Sequence, residues 1–383
     1  PVFPRFSKAS TADDVFRLVS SPPFTRIAMK QLSQKAHAAA FHAEFFGNTT
    51  QKRFVLGINE FADAVANRTN LDGFIDEYTT ATEYRGKPVL KLAQVPAGSM
   101  VISTVTQARP KTAMNKLLRL NGVVSMDYFA VADASHFQLP QVQALADTQK
   151  EYASHPEKFE WVRDLFADQE SREVFNRVME FRLNANLRAM RFFDYTADQQ
   201  YFEPFVNFEP GEVFVDGGGF DGYTTEEFIK RCPQYGSVHF FEPTETTLIK
   251  AKAQLSKHRD IHFHPVGLLD TEQTLSFDAD AGSACKISET GSVQINVDAL
   301  DNRVTESVSF IKLDLEGAEP KALEGMKWHI QEDHPKLAVA VYHDPAHFWQ
   351  VPEIILGVRN DYKVYLRHYT EGWTETVMFF IPK

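Results

Sequence analysis

Three groups of residues in this chain have types and spacings suited to chemistry. The first is V-F-V-D-G-G-G-F-D-G-Y, Val213 to Tyr223, in which Asp216 closes a short apolar run. Gly217, Gly218 and Gly219 follow directly, with Gly222 after a two-residue gap. Glycines at the end of a strand allow a tight turn and let the backbone approach a ligand with no Cβ in the way. Thr224, three residues before Glu227, has the spacing of a capping box and predicts a helix start there. The second group is Glu242-Pro243, which closes the run Ser237–Phe241, 26 residues on from Asp216. That separation is about one β-α-β unit, and a carboxylate at the end of the second strand is placed to hydrogen-bond the two ribose hydroxyls of a nucleotide. The third is F-I-K-L-D-L-E-G-A-E, Phe310 to Glu319, with His343 further on in V-Y-H-D.

The charge at Asp216 narrows the ligand. A dinucleotide needs its pyrophosphate held at a helix N-terminus, and a carboxylate at the tip of the first strand points negative charge at that place. A ligand with a positive or zwitterionic tail suits it better. S-adenosylmethionine carries an amino-acid end and a sulfonium.

These groups need strands to hold them. From Glu212 onward apolar runs and helical segments alternate, as in a mostly parallel sheet. Val213–Val215, Val238–Phe241, Ile261–Leu269, Val308–Leu315 and Leu337–Tyr342 read as successive strands. Thr225–Arg231, Thr244–His258, Lys321–Ile330 and Pro352–Val358 read as helices. Thr274–Phe277 and Val293–Val297 read as an inserted hairpin. Tyr362–Tyr369 and Thr374–Ile381 are joined by so short a connector that they must pair antiparallel.

The chain upstream divides into three further pieces. Residues 1–51 are proline-punctuated at Pro1, Pro4, Pro22 and Pro23, then Ala-rich and helical from Met29 to Phe46, a packing arm. Residues 52–135 read as a small α/β domain with strands at Arg53–Ile58, Leu71–Tyr78, Val89–Leu92, Met100–Val105 and Val123–Phe129, and a helix at Pro110–Leu120. Its first turn, Gly57-Ile58-Asn59, has no further glycine and is poorly made for phosphates, which favours a structural or assembly role. Residues 136–210 read as a helical connector, with Asp168 as an N-cap and aromatics at its end, Gln200-Tyr201-Phe202-Glu203, that wall a pocket or belong to the core. Residues 211–383 form the fourth piece.

Composition excludes several classes. The chain has 383 residues and net charge −11, with no basic cluster, so nonspecific attraction to nucleic acid or an anionic membrane is not expected. Hydrophobic residues make up 43 %, an ordinary globular share. No apolar run is long enough to span a bilayer. Pro1 to Ser10 has no apolar core segment and does not read as a signal peptide. Cys232 and Cys285 lack metal-ligand spacing and suit a reducing cytoplasm as free thiols.

Taken in order, V-D-G-G-G-F-D-G-Y-T, F-F-E-P and K-L-D-L-E-G-A-E resemble the FkbM-type methyltransferases, over Ala167 to the C-terminus. Lys312, Asp314, Glu316, Gly317 and Glu319 match the last signature of that family without a gap. Gly219 stands where alanine is usual, a change expected to be sterically harmless. The resemblance implies a class I methyltransferase, an α/β Rossmann-like sheet with an antiparallel last strand, and S-adenosylmethionine as cofactor. It implies that Asp216, Gly217, Gly218, Gly219, Gly222, Tyr223 and Thr224 hold the methionine part. It further implies Glu242 and Pro243 at the ribose, and Gly267 and Leu268 beside the adenine. Residues 52–135 resemble the N-terminal α/β domain of sugar O-acyltransferases.

A hydroxyl acceptor gains from a general base. Asp314, Glu316 and His343 are the candidates, each at or just past the C-terminal edge of a parallel strand, where α/β sheets place their sites. His343 titrates nearest neutrality when unperturbed; a hydrogen-bonded edge histidine is the other reading. Lys312 lies mid-strand and is expected to pair with a carboxylate. Asp314 and Glu316 at i and i+2 also suit the start of a magnesium site, but no third ligand accompanies them in the sequence, and no metal is expected. The leading function is O-methylation of a saccharide or other small-molecule hydroxyl. A nucleotide-sugar-modifying enzyme and a non-catalytic scaffold are the alternatives. The sequence leaves the oligomeric state open.

Overall fold

The structure, a computed structural model, describes residues 35–136, 138–277 and 293–383. The early prolines, the start of the Ala-rich helix, Cys285 and the loop of the inserted hairpin lie outside the described residues. The chain divides into two compact units. One contains the described residues up to Val105 together with Thr112–Gln141; the other contains Thr106–Lys111 and Val142–Lys383.

The first unit is built on six strands: β1 Arg53–Leu56, β2 Gly73–Ile75, β3 Glu83–Tyr84, β4 Lys87–Leu90, β5 Met100–Ser103 and β6 Val124–Asp127. Their order is β3-β4-β2-β1-β5-β6, parallel except for the β3–β4 pair. Phe54, Val55 and Leu56 are buried, as a central strand requires. At the turn after β1, Asn59 caps the next helix by accepting the N–H groups of Phe61 and Ala62. Two of the donors that would face a phosphate are thereby already engaged. The expected strand Val123–Phe129 stops at Asp127, whose carboxylate caps the Tyr128–Ala134 helix.

The second unit holds β7 Val213–Gly217, β8 Ser237–Phe241, β9 Ile261–His264, β10 Gly267–Leu268, β11 Gln273–Phe277, β12 Val293–Asp298, β13 Phe310–Leu313, β14 Lys336–Ala340, β15 Tyr362–His368 and β16 Thr376–Pro382. Seven of them form one sheet in the order β15-β16-β14-β13-β7-β8-β9. The run from β14 to β9 is parallel, and β16 is antiparallel to both neighbours, as the short connector demands. The strand order reverses at β7, so the ends of β7 and β13 form the switch point where such sheets bind ligands. Beneath it Phe214 stacks on Phe310 at 5.0 Å and meets Phe228 of the Tyr223–Arg231 helix at 4.5 Å. Aromatic pairs of this kind add about 0.5–1.5 kcal/mol each beyond their buried area.

Three expectations need correction. The third strand, expected with its exit over Ile261–Leu269, ends before Pro265, which has no N–H for the ladder, and the exit carries a short strand of its own, β10, which pairs with β12 in a separate three-stranded sheet with β11. The helix expected over Lys321–Ile330 is broken at Gly325 into Glu319–Glu324 and Lys327–Glu332. A Cβ at Gly325 would lie 2.0 Å from the Leu269 carbonyl oxygen, so the chains pass too close for any other residue. The capping box at Thr224 does not form. Gly222, at φ +91°, is the N-cap, and the helix begins at Tyr223 without a side-chain cap bond. Among the described residues no helix is long and apolar enough to cross a membrane.

One buried group makes stability sensitive to acid. His368 on β15 shares a hydrogen bond of 2.8 Å with Thr376, its register partner on β16. Burial, with Arg182 nearby, lowers its pKa to about 3. The unfolded chain, at about 6.5, therefore binds more protons through the interval between. This contribution is complete above pH 6.5 and is lost as the pH falls toward 3. Urea denaturation from pH 6.5 to 5 should show the parent losing roughly 1–2 kcal/mol more than His368→Gln. Parallel curves for the two proteins would contradict a neutral buried imidazole.

Candidate functional site

Asp216, directly before the last residue of β7, is fully buried, and its register partner on β13 is Lys312. The ammonium lies 3.1 Å from Asp216 Oδ1 and donates to the carbonyls of Gly217 and Gly218 at 3.1 and 2.8 Å. Thr225 Oγ1 donates to Asp216 Oδ2 at 2.7 Å. Lys312 thus pairs with a carboxylate as expected. The same geometry corrects the reading of Asp216: its charge is spent on Lys312 beneath the loop and is not presented to a ligand. Asp216 acts here by pinning the glycine turn from below.

The turn itself is set by close approach. Gly218 has φ +74°, and a Cβ there would lie 2.0 Å from the Asp314 carbonyl oxygen. This contact brings the glycine loop directly against the exit of β13. At Gly219 a Cβ would fall 2.2 Å from the buried Phe240 ring, so alanine there is not harmless in this chain. Phe220 takes a left-handed φ of +49°. It and Tyr223 are the exposed rings of the loop, at 66 % and 46 %.

Glu242 follows β8. Its Oε1 accepts the Thr244 N–H at 2.8 Å. Burial raises its pKa, partly offset by hydrogen bonds from Thr244 and the Phe220 backbone. Pro243 lies beside the exit of the third strand, its Cγ 3.6 Å from where a Gly267 Cβ would stand. Gly217 and Leu268 are buried and shape the floor, while Gly267 is partly exposed.

The three candidate bases come together. Beyond β13 the chain turns through Glu316 and Gly317, both left-handed at φ +53° and +104°. His343, just past β14, places Nε2 3.5 Å from Asp314 Oδ1 and 3.4 Å from Glu316 Oε2. Its Nδ1–H donates to Glu319 Oε1 at 2.9 Å. Glu319, fully buried, also accepts the Leu315 N–H at 2.8 Å and faces His347 Nδ1 at 3.3 Å. Tyr201 and Tyr342 donate to Asp314 at 2.7 and 3.2 Å. Gln200 donates to the Tyr201 hydroxyl at 2.8 Å and to Glu375 at 2.6 Å.

The electrostatics correct the preference for His343 as base. Burial alone would lower its pKa, but Glu319, Glu316 and Asp314 together raise it well above the ordinary range. The carboxylates therefore favour the protonated ring, which makes His343 a poor proton acceptor. Burial, then the Asp314 charge, pushes the Tyr201 and Tyr342 hydroxyls up, so both remain donors. Burial and Asp314 push Glu375 up to about 7.

Sequence reasoning missed several of these residues. Glu319 belongs to the last signature, but nothing in the sequence marks it as the partner of His343. Tyr342 directly precedes His343, and that proximity is its signal. Tyr201 stands among the aromatics that wall a pocket or belong to the core. Nothing in the local sequence marks Glu375, which reaches the cluster from the turn between β15 and β16.

Residues 216–369 match the family model of the methyltransferase FkbM domain. They are a methyltransferase FkbM domain. A crystal structure of methyltransferase FkbM from Methylobacillus flagellatus KT shares the fold at a TM-score of 0.69 and 19 % identity, over 92 % of this chain and 98 % of that one. An rRNA methylase from Streptococcus thermophilus is 15 % identical over 45 % of this chain and 88 % of its own, with a TM-score of 0.32. Fibrillarin from Aeropyrum pernix, in complex with natively bound S-adenosyl-L-methionine, is 8 % identical over 48 % and 71 %, also at 0.32. Among curated proteins no sequence matches the chain.

The FkbM domain contains all the site residues nominated from the sequence. Tyr201 and Glu375 lie outside it on either side, yet Tyr201 bonds Asp314 and Gln200 ties the two together. The cofactor of this family is S-adenosylmethionine, and the residues present fit it. The glycine loop has no side chains to obstruct a ligand at Gly217, Gly218 and Gly219, and Glu242 retains acceptor capacity at the end of β8.

Proposed function

We propose that this chain methylates a hydroxyl of a saccharide or other polyhydroxylated small molecule. The observation that supports the reading most is Asp314. Two tyrosine hydroxyls orient this partly exposed carboxylate, and its own backbone carbonyl touches the glycine loop. When bound, S-adenosylmethionine supplies an electrophilic methyl carbon on a positively charged sulfur. Asp314 accepts a hydrogen bond from the acceptor hydroxyl and receives its proton as the O–C bond forms. The S–C electron pair stays with the departing thioether, so charge balances. The turn through Gly218 aligns the two reactants, and alignment is the largest advantage an in-line displacement can be given.

The acceptor class follows from charge and shape. Asp314 and Glu316 disfavour a phosphorylated or polyanionic acceptor, and the net charge of −11 adds to this. The exposed Phe220 and Tyr223 rings offer apolar faces of the kind that pack on sugar C–H groups. The test is transfer of labelled methyl to neutral saccharides and polyols, compared with phosphorylated sugars, amines and RNA. Label found only in amines or RNA would overturn the reading.

In this reading Asp216, Gly218 and Gly222 shape the methionine end of the cofactor pocket, Glu242 meets the ribose, and Gly267 lies toward the adenine. Glu242→Ala should weaken S-adenosylhomocysteine by roughly 1–3 kcal/mol, the cost of unpaired hydroxyl partners. Calorimetry giving an unchanged Kd would remove Glu242 from the ribose.

A further inference from the structure

The first unit holds a cavity that methyl transfer does not use. The helix Glu60–Ala66 ends beside it, and the chain from Asn67 to Leu71 leads from there into β2. With Phe74, Arg85 and Lys87 this segment lines a space of about 440 Å³, within the range of small-ligand pockets, about 300–1,000 Å³. The cavity lies where β2 and β4 begin, at the opposite edge of the sheet from the Gly57 turn.

Its lining offers donors, because the acceptors are already engaged. Arg85 donates to Asn67 Oδ1, and Lys87 donates to Asn70 Oδ1 at 2.8 Å. Thr69 Oγ1 accepts from Arg53 at 3.1 Å. Both amide oxygens are turned to cations, so these side chains keep N–H and O–H groups to give. One carboxylate serves three cations. Asp63 pairs with Arg85 at 2.8 Å and also accepts the Tyr84 hydroxyl at 3.0 Å. Among the described residues Arg68 and Lys87 form no ion pair with a carboxylate, in a chain of net charge −11.

Arg85 is also held against its backbone preference. Arg85 and Gly86 alone join β3 to β4, and both are left-handed, at φ +51° and +71°. Such a two-residue loop favours asparagine or aspartate before glycine. A non-glycine residue kept in this region points to a use for its side chain.

We propose that Arg68, Arg85 and Lys87 bind the phosphate of a small phosphomonoester, with Leu71 and Phe74 as the apolar wall beside its organic part. A phosphate presents acceptor oxygens only, and the guanidinium fork matches them with paired N–H groups. The apolar wall and the size of the cavity favour a compact ligand over a polymer backbone. This site gives the first unit a ligand of its own and is independent of the methyl-transfer reading.

The full chain is titrated by calorimetry with inorganic phosphate, with phenyl phosphate and with a single-stranded oligonucleotide, which carries phosphate on a polymer. One phenyl phosphate per chain is expected, bound more tightly than inorganic phosphate and more weakly as salt is added. Arg68→Ala and Lys87→Ala should each weaken it about 10- to 100-fold, as the loss of a charged hydrogen bond does. Arg85→Asn places a favoured residue in the turn, so it should keep the fold and lose affinity to the same degree. Failure of both small phosphates to bind overturns the site. Binding that all three variants leave unchanged is an adventitious ion only and overturns it as well. An oligonucleotide bound more tightly than phenyl phosphate, and weakened by the same variants, makes the surface one for nucleic acid and overturns the small ligand.

Discussion

Asp314→Asn is expected to lower turnover by roughly 10²- to 10⁴-fold, the range for a positioned proton acceptor, while S-adenosylhomocysteine binds as before. The amide keeps the shape and can still accept the Tyr201 and Tyr342 hydrogen bonds through its oxygen. It loses the charge that draws a proton from the acceptor hydroxyl. In the proposed arrangement other residues hold the cofactor, so the two measurements should separate. Methyl transfer is followed with the best acceptor from the saccharide panel, and the binding of S-adenosylhomocysteine by calorimetry. Equal losses in both would mean that Asp314 shapes the cofactor pocket. No loss in either would return the base to Glu316. His343 is not a substitute, because the carboxylates around it hold its proton in place.

Much of the second unit was legible because its signals are local. Apolar residues such as Phe214 and Val215 are buried within one sheet, and the glycines after them are required by contacts close in space. The short connector before Thr374 could only mean an antiparallel pair, and β15 and β16 form one. What escaped the sequence was decided by tertiary partners. Gly325 breaks a helix because a carbonyl from elsewhere in the chain passes it. Asp216 appeared to face a ligand because its partner, Lys312, is almost a hundred residues away; strand register alone places them opposite each other. His343 appeared to be an ordinary imidazole because nothing in V-Y-H-D shows that Glu319, Glu316 and Asp314 gather around it. Glu375 carries no motif at all. Residue type was readable at the site, whereas protonation state depended on the fold.

Lys312→Met should cost about 3–5 kcal/mol in stability, the penalty for leaving one member of a buried ion pair uncompensated. The side chain of Asp216 has no exposure and that of Lys312 only 3 %, so water cannot replace the lost partner. The ammonium also serves the carbonyls of Gly217 and Gly218, and it stands 5.4 Å over the Tyr201 ring. Its loss therefore loosens the glycine turn as well as leaving the carboxylate unpaired. Asp216→Asn combined with Lys312→Met removes the charge that the single variant strands. Replacing both members of a buried pair by neutral groups is far less costly than removing one. Urea denaturation of the two variants separates a buried pair from simple packing: the double variant should be more stable than Lys312→Met alone. If the losses instead add, each side chain contributes independently and the pair does not hold the loop. If the pairing is correct, the double variant should fold yet bind S-adenosylhomocysteine more weakly than the parent, because the Gly217 and Gly218 carbonyls have lost the donor that fixes the turn.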